Sequence, residues 1–333
     1  MPDSSESVGN EEPLTLTQFR FWRQYLTTMR PYLFPVSGLA GLAGMSLAKV
    51  ADPWRWGMAM AVFTLAYGFG QALTDCFQQD TDRLSASYRP LIRGTISARQ
   101  VLLVSLSGLV TGMAILAWCN VWNLAVSAFA VVGLLAYTPL KRRWWAGPLA
   151  NASVVALLPV MGWLVRPGNH PAMLLQHPEV LAVALMSFAA YANFVLVGYL
   201  KDIDADRQTR YETLPVVFGW RRAAIVSDIW SAGALAAGIW AVSLLAKIVP
   251  GSILPAGAVV LLAAVLSVTA QVTLHRINRQ EQAYRPILNV VRVFLLLHVA
   301  VVILANPRWS AVAVVLFFGF EFLAILRPER RQV

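Results

Sequence analysis

Two short acidic runs hold the residues best suited to chemistry. The first reads Thr74-Asp75-Cys76-Phe77-Gln78-Gln79-Asp80-Thr81-Asp82-Arg83, the second Lys201-Asp202-Ile203-Asp204-Ala205-Asp206-Arg207. If the first run is helical, Asp75 and Asp82 share a face with Gln78 between them, and Asp80 points elsewhere. Asp202 and Asp206 are i, i+4 neighbours on one face. Carboxylates this close repel one another unless a cation sits among them. Two such pairs facing each other suit a hard divalent ion, Mg2+, shared with phosphate oxygens. A third run, Tyr137-Thr138-Pro139-Leu140-Lys141-Arg142-Arg143, offers phosphate a lysine point charge and arginine forks. A fourth, Tyr88-Arg89-Pro90-Leu91-Ile92-Arg93-Gly94, follows the first acidic run. The bland alternative for each is a solvated helix end or a headgroup anchor. Two acidic clusters at corresponding places, each followed by Arg, argue against it, because carboxylates at the end of a membrane helix are functional by default.

The elements that must position these residues follow from composition. Of 333 residues, 58% are hydrophobic and 13% charged, against about 25% charged in a soluble domain. That excludes a disordered chain, a coiled coil and an ordinary soluble enzyme. It points to an all-α, polytopic membrane helical bundle. Ten apolar runs of roughly span length lie near 31–49, 56–76, 99–118, 120–138, 147–166, 179–199, 222–246, 252–274, 287–305 and 309–326. The ninth is the weakest, interrupted by Asn289, Arg292 and His298. Residues 1–24 read as an acidic, disordered start and interfacial lead-in, 25–326 as one transmembrane domain, and 327–333 as a basic tail. No basic n-region precedes a short apolar run, so no signal peptide is expected.

With the N-terminus inside, 21 Lys and Arg fall on the cytoplasmic side and 5 outside, with Arg292 in a span. This positive-inside split supports the orientation and an even number of crossings. It also gives the net charge of +10 a bland origin, and no basic stripe suggests nucleic acid. Both acidic clusters then face the cytoplasm, four spans apart, as in two four-helix pseudo-repeats enclosing a site. The two cysteines and four histidines form no disulfide framework or zinc spacing.

The stretch TDCFQQDTDRLSASYRPLIRGTIS resembles the first signature of the UbiA superfamily of intramembrane prenyltransferases, N-D-x-x-D-x-x-x-D followed by Y-R-P-x-x-x-G. YLKDIDADRQTRYETLPVVFG resembles the second, with D-x-x-x-D-R and a trailing T-L-P-V-x-x-G. YTPLK matches the Y-x-x-x-K element, and Arg30-Pro31 an R-P start. The matches come in family order over residues 25–220. Departures are Thr74 for the leading Asn, Gln78 for the middle Asp, Arg93 for a loop Ser, and Tyr199 where an earlier Asp often stands. The family usually has nine spans, against ten here.

The resemblance implies nine or ten helices around a central cavity open sideways to lipid. It implies a polyprenyl diphosphate held through Mg2+ between the two acidic motifs. Carried over by motif, Asp75, Asp82, Asp202 and Asp206 hold the metal, with Gln78 offering an oxygen. Tyr137 and Lys141 lie near the diphosphate, and Arg83, Arg89, Arg142, Lys201 and Arg207 are further donors. Tyr67, Phe69, Trp122, Tyr191, Phe194 and Tyr199 could face an allylic cation. The expected partners are the prenyl diphosphate, the bilayer and a lipophilic acceptor. A bacterial cytoplasmic membrane, with the site facing the cytoplasm, is the expected location. What captures the cation decides the function: a second substrate in a prenyltransferase, or the chain's own double bond in a membrane terpene cyclase. A transporter using the acidic pairs as ion sites is the non-enzymatic alternative.

Overall fold

A computed structural model describes residues 12–247, 250–277 and 279–327. Most of the acidic start and of the basic tail lies outside them. The helices are α1 (Phe19–Met29), α2 (Phe34–Leu47), α3 (Pro53–Asp75), α4 (Gln79–Ser85), α5 (Ala98–Cys119), α6 (Trp122–Lys141), α7 (Ala146–Leu164), α8 (Pro178–Tyr199), α9 (Ile203–Gln208), α10 (Leu214–Phe218), α11 (Trp220–Ala246), α12 (Ile253–Arg276), α13 (Tyr284–Ala305) and α14 (Ser310–Leu326). No strand occurs among the described residues.

Each of the ten apolar runs becomes one helix: α2, α3, α5 to α8 and α11 to α14. Eight of them are long and apolar enough to cross a membrane. α2, counted from Pro31, is shorter, and α3 is the tenth. Helix starts are written locally. Asp52 caps α3, its Oδ1 accepting from the amides of Trp54 and Arg55 at 2.9 and 3.2 Å, with Pro53 in the first turn. Ser97 and Gln100 form a capping box on α5. α1 is amphipathic. It buries Phe21, Tyr25, Thr28 and Met29, whose spacing marks one helical stripe. It ends where Arg30 turns left-handed at φ +56° and Pro31 begins the next turn.

Burial sorts the helices into centre and rim. The apolar windows of α8 and α13 are 78% buried, and that of α7 67%. Those of α5 and α14 are 17% buried and face outward, where lipid replaces protein as the apolar solvent. α2 is buried along nearly its whole length. It packs on α7 through small residues, because lipid gives no hydrophobic drive and close backbone contact must supply the attraction. A Cβ on Gly44 would stand 2.0 Å from the Pro159 carbonyl oxygen, and one on Gly162 2.3 Å from that of Gly41.

The polar residues of the ninth run are answered by neighbours. Arg292 forks onto Glu321 of α14 at 2.7 and 2.8 Å and donates to Asn289 at 2.9 Å. His298 shares a hydrogen bond with Ser187 at 2.8 Å. α3 and α8, the second and sixth spans, each lead into a short helix, α4 and α9. These meet, with the Thr81 and Thr209 hydroxyls 3.0 Å apart.

Candidate active site

The first acidic run is not one helix. α3 stops at Asp75. The amides of Cys76, Phe77 and Gln78 bond back three residues, to Leu73, Thr74 and Asp75, before α4 starts at Gln79. The tightened turn ends the helical register, so Asp75 and Asp82 lie on different helices. They are joined instead by Arg89. Its Nη1 is 3.4 Å from Asp75 Oδ1 and contacts Asp82 Oδ2. Gln78 leaves their face for the second motif, accepting from Lys141 Nζ at 3.3 Å.

Lys141 is the meeting point of the two motifs. It ends α6 and is buried, with Nζ 3.3 Å from Asp206 Oδ1. Gln78 Oε1 and Asp206 Oδ1 are therefore at most twice that distance apart. Thr213 donates to the other oxygen of Asp206 at 3.2 Å. The Lys141 ammonium also lies over the rings of Tyr199 and Tyr211, 5.3 and 5.0 Å from their centroids. Tyr137 shares a hydrogen bond with the Tyr199 hydroxyl at 3.1 Å. Asp202 sits at the start of α9, half-buried, 3.5 Å from Lys201.

Other residues lie further out. Arg83 is exposed. Arg207 is exposed and pairs with Asp204 at 3.8 Å. Arg142 pairs with Asp80 at 3.1 Å on the rim, and Tyr211 donates to the same carboxylate at 3.1 Å. A buried partner not assigned from the motifs is Arg30. Its Nη2 donates to both oxygens of Asp75 at 3.0 Å, and Gln71 adds a bond at 2.8 Å. The R-P dipeptide was its only sequence signal.

Burial sets the charge balance of the loop groups. It pushes the Asp206 carboxyl up to about 6, against the pull of Lys141. It likewise raises Asp82, against the pull of Arg89. It lowers Lys201. Each shift reports a charged form short of water.

Beside these groups, a cavity of about 340 Å³ opens between α3, α5, α6, α7 and α8, with Gln71 and Thr74 at its polar end. Tyr67, Phe69 and Tyr191 line it. Phe194 packs edge-on against Tyr191, the centroids 5.3 Å apart. Trp122 is elsewhere. It begins α6 at the end opposite Lys141 and packs on His170.

The donor set can be tested against Mg2+. All of Asp75, Gln78, Asp82, Asp202 and Asp206 offer hard oxygen, and Asp206 Oδ1 is buried without a hydrogen bond. Among the described residues, no group of three or more His, Cys, Asp or Glu forms a ready cage. A Mg2+ held by these groups would therefore need substrate phosphates and water to complete its shell.

Comparison with known proteins gives the following. A sequence model of the UbiA prenyltransferase family matches residues 35–291. Digeranylgeranylglyceryl phosphate synthase of Pyrococcus abyssi is 27% identical over 218 residues, which span 62% of this chain and 73% of that protein. Protoheme IX farnesyltransferase of Geobacter sulfurreducens is 35% identical over 160 residues, 46% of this chain and 59% of that one. The structure of a UbiA homolog from Archaeoglobus fulgidus bound to GPP and Mg2+ aligns with a TM-score of 0.66 at 18% identity. It covers 89% of this chain and 99% of that chain. Neither named relative is a cyclase, and intramolecular capture of the cation gains no support.

Proposed function

The chain belongs to the UbiA prenyltransferase family, and from that premise we propose that it ionises a polyprenyl diphosphate with Mg2+ and transfers the prenyl group to a lipophilic acceptor within the membrane. The observation that carries this reading is Lys141, 3.3 Å from both Gln78 and Asp206, together with an apolar cavity whose polar end, Gln71 and Thr74, adjoins Asp75. One cation thereby joins both acidic motifs beside a space of hydrocarbon character.

The chemical problem is the allylic C–O bond. It breaks with its electron pair leaving on the diphosphate. Lys141, Arg89 and Arg30 are buried cations fixed in advance where that charge develops, which is where preorganised charge stabilises most. Asp75, Gln78 and Asp82 on one side and Asp202 and Asp206 on the other would hold Mg2+. When bound, the metal supplies further neutralisation of the diphosphate oxygens. The cavity walls keep water from the allylic cation, and the faces of Tyr67, Phe69 and Tyr191 offer it π density. The acceptor's nucleophile forms the new bond to the cation and loses its proton. The relatives' names supply a lipid phosphate and a haem as acceptor classes. The 21-to-5 charge split supports a cytoplasmic orientation for the site.

The test uses purified protein, Mg2+ and C10–C20 prenyl diphosphates, with and without lipid-phosphate and tetrapyrrole acceptors. Diphosphate release that needs both metal and acceptor is expected. Cyclic hydrocarbons formed without acceptor would overturn transfer.

A further inference from the structure

The helix before the first span has three faces. At the α-helical period its buried stripe fills one sector of α1, Phe19, Trp22 and Leu26 the next, and Arg20 and Arg23 lie in the third. The second sector is open: Phe19, Trp22 and Leu26 are 83%, 46% and 48% exposed. Arg23 lies four residues after Phe19 and three before Leu26, so the basic face borders the apolar one. Arg20 and Arg23 are exposed, and neither pairs with a carboxylate among the described residues.

A helix of 11 residues with no side-chain cap is marginal by itself and depends on what covers it. The protein covers one face. Phe21, Tyr25 and Met29 share a small core with Leu91 and Ile96, from the loop between α4 and α5. The Tyr25 hydroxyl shares a hydrogen bond with Ser105 of α5 at 2.8 Å. The open apolar face leads through Arg30 and Pro31 into α2, so it stands where the hydrocarbon begins. Trp22 suits that level: its indole N–H donates to the Leu16 carbonyl at 3.0 Å, and its ring is left for lipid. An apolar face beside a basic one lies flat among headgroups, and its arginines attract anionic ones. Charge complementarity extends beyond α1. Residues 19–30 and 89–101 contain no Asp or Glu, and they add Arg93 and Arg99, both exposed.

The same helix reaches the acidic motif. α1 ends at Arg30, whose Nη2 donates to both oxygens of Asp75. The core beneath α1 holds the loop that carries Arg89, the second arginine on Asp75. Both cations on that carboxylate are therefore placed by the seating of α1.

We propose that α1 is a docking surface for anionic lipid: headgroups of the leaflet beside the acidic motifs bind Arg20 and Arg23, and this seating holds Arg30 and the Arg89 loop on Asp75.

The test is backbone hydrogen exchange on the full chain in nanodiscs of phosphatidylcholine, alone or mixed two to one with phosphatidylglycerol. In wild type the anionic bilayer should slow exchange about tenfold in α1, and residues 89–96 should slow with it. The double variant Arg20→Gln/Arg23→Gln should lose the slowing in both segments. In phosphatidylcholine alone it should exchange as wild type does, which separates lost lipid contact from lost folding. Arg20→Lys/Arg23→Lys should keep the slowing, because headgroup attraction reads charge. Equal exchange of wild type in the two bilayers overturns the proposal. It is the result expected if the acidic start of the chain, with Asp3, Glu6, Glu11 and Glu12, takes up the two arginines instead. Equal slowing in wild type and the Gln variant overturns it too, since a change of pH at the charged surface would then suffice. Slowing in α1 with none in residues 89–96 overturns the hold on Asp75. No substrate enters the measurement, so its outcome is independent of the prenyl diphosphate reading.

Discussion

The ammonium of Lys141 lies 3.3 Å from Asp206 Oδ1, with both side chains almost wholly inside the protein. Cutting one partner from a buried pair usually costs about 3–5 kcal/mol, because a bare charge remains. Here Asp206 already sits at about 6, so it can take a proton when Lys141 is gone. Lys141→Met should therefore cost only about 1–2 kcal/mol at pH 7, since each pKa unit is worth about 1.4 kcal/mol. Diphosphate release should nevertheless fall by about 100-fold or more, as for loss of one preorganised donor. Thermal unfolding and a phosphate-release assay on the same preparation separate the two effects.

Asp75 and Asp80 are five residues apart and should behave differently. Asp75 is buried and held by Arg30, Arg89 and Gln71, whereas Asp80 pairs with Arg142 at the exposed rim. Asp75→Ala should abolish turnover in a protein that still elutes as folded. Asp80→Ala should lower it less than tenfold, since an exposed pair contributes about 0–1 kcal/mol. Equal losses in the two variants would remove the metal assignment from Asp75.

The raised carboxyl of Asp206 has a pH signature. Between the ordinary aspartate value and about 6, the folded protein holds a proton that the unfolded chain has released. Stability falls with pH wherever the folded state binds more protons. In EDTA, Asp206 therefore makes the protein more stable at pH 5 than at pH 7. The comparison is with Asp206→Asn, which lacks this contribution. The pH 5 minus pH 7 difference in melting temperature should be more positive in wild type. Equal differences in the two proteins would show the carboxyl to be unperturbed.

The α2–α7 contact predicts a purely structural loss. Gly44→Ala places a methyl 2.0 Å from the Pro159 carbonyl oxygen, backbone that cannot step aside. Overpacking of this kind costs about 1–3 kcal/mol. A lower melting temperature is expected, with the KM for prenyl diphosphate unchanged, because α2 here touches α7 and not the acidic motifs.

The ten helices could be read from the sequence because lipid demands long apolar runs and leaves few other solutions. The α3–α4 break could not. Cys76, Phe77 and Gln78 have no helix breaker among them, and the turn is set by what Gln78 reaches, the Lys141 ammonium 63 residues away. Arg30 was missed for a related reason: its partner Asp75 is 45 residues on, and no periodicity reports such a pair. Trp122 was avoidable. It opens the span that Lys141 closes, so helix length alone puts it about 30 Å from Lys141.

The Arg292–Glu321 fork has a consequence for biogenesis. A guanidinium in the hydrocarbon is costly until its counter-ion arrives, and that counter-ion sits on the following helix, α14. During synthesis α13 reaches the translocon with this debt outstanding. The two segments are thus bound to partition into the bilayer together, as a hairpin.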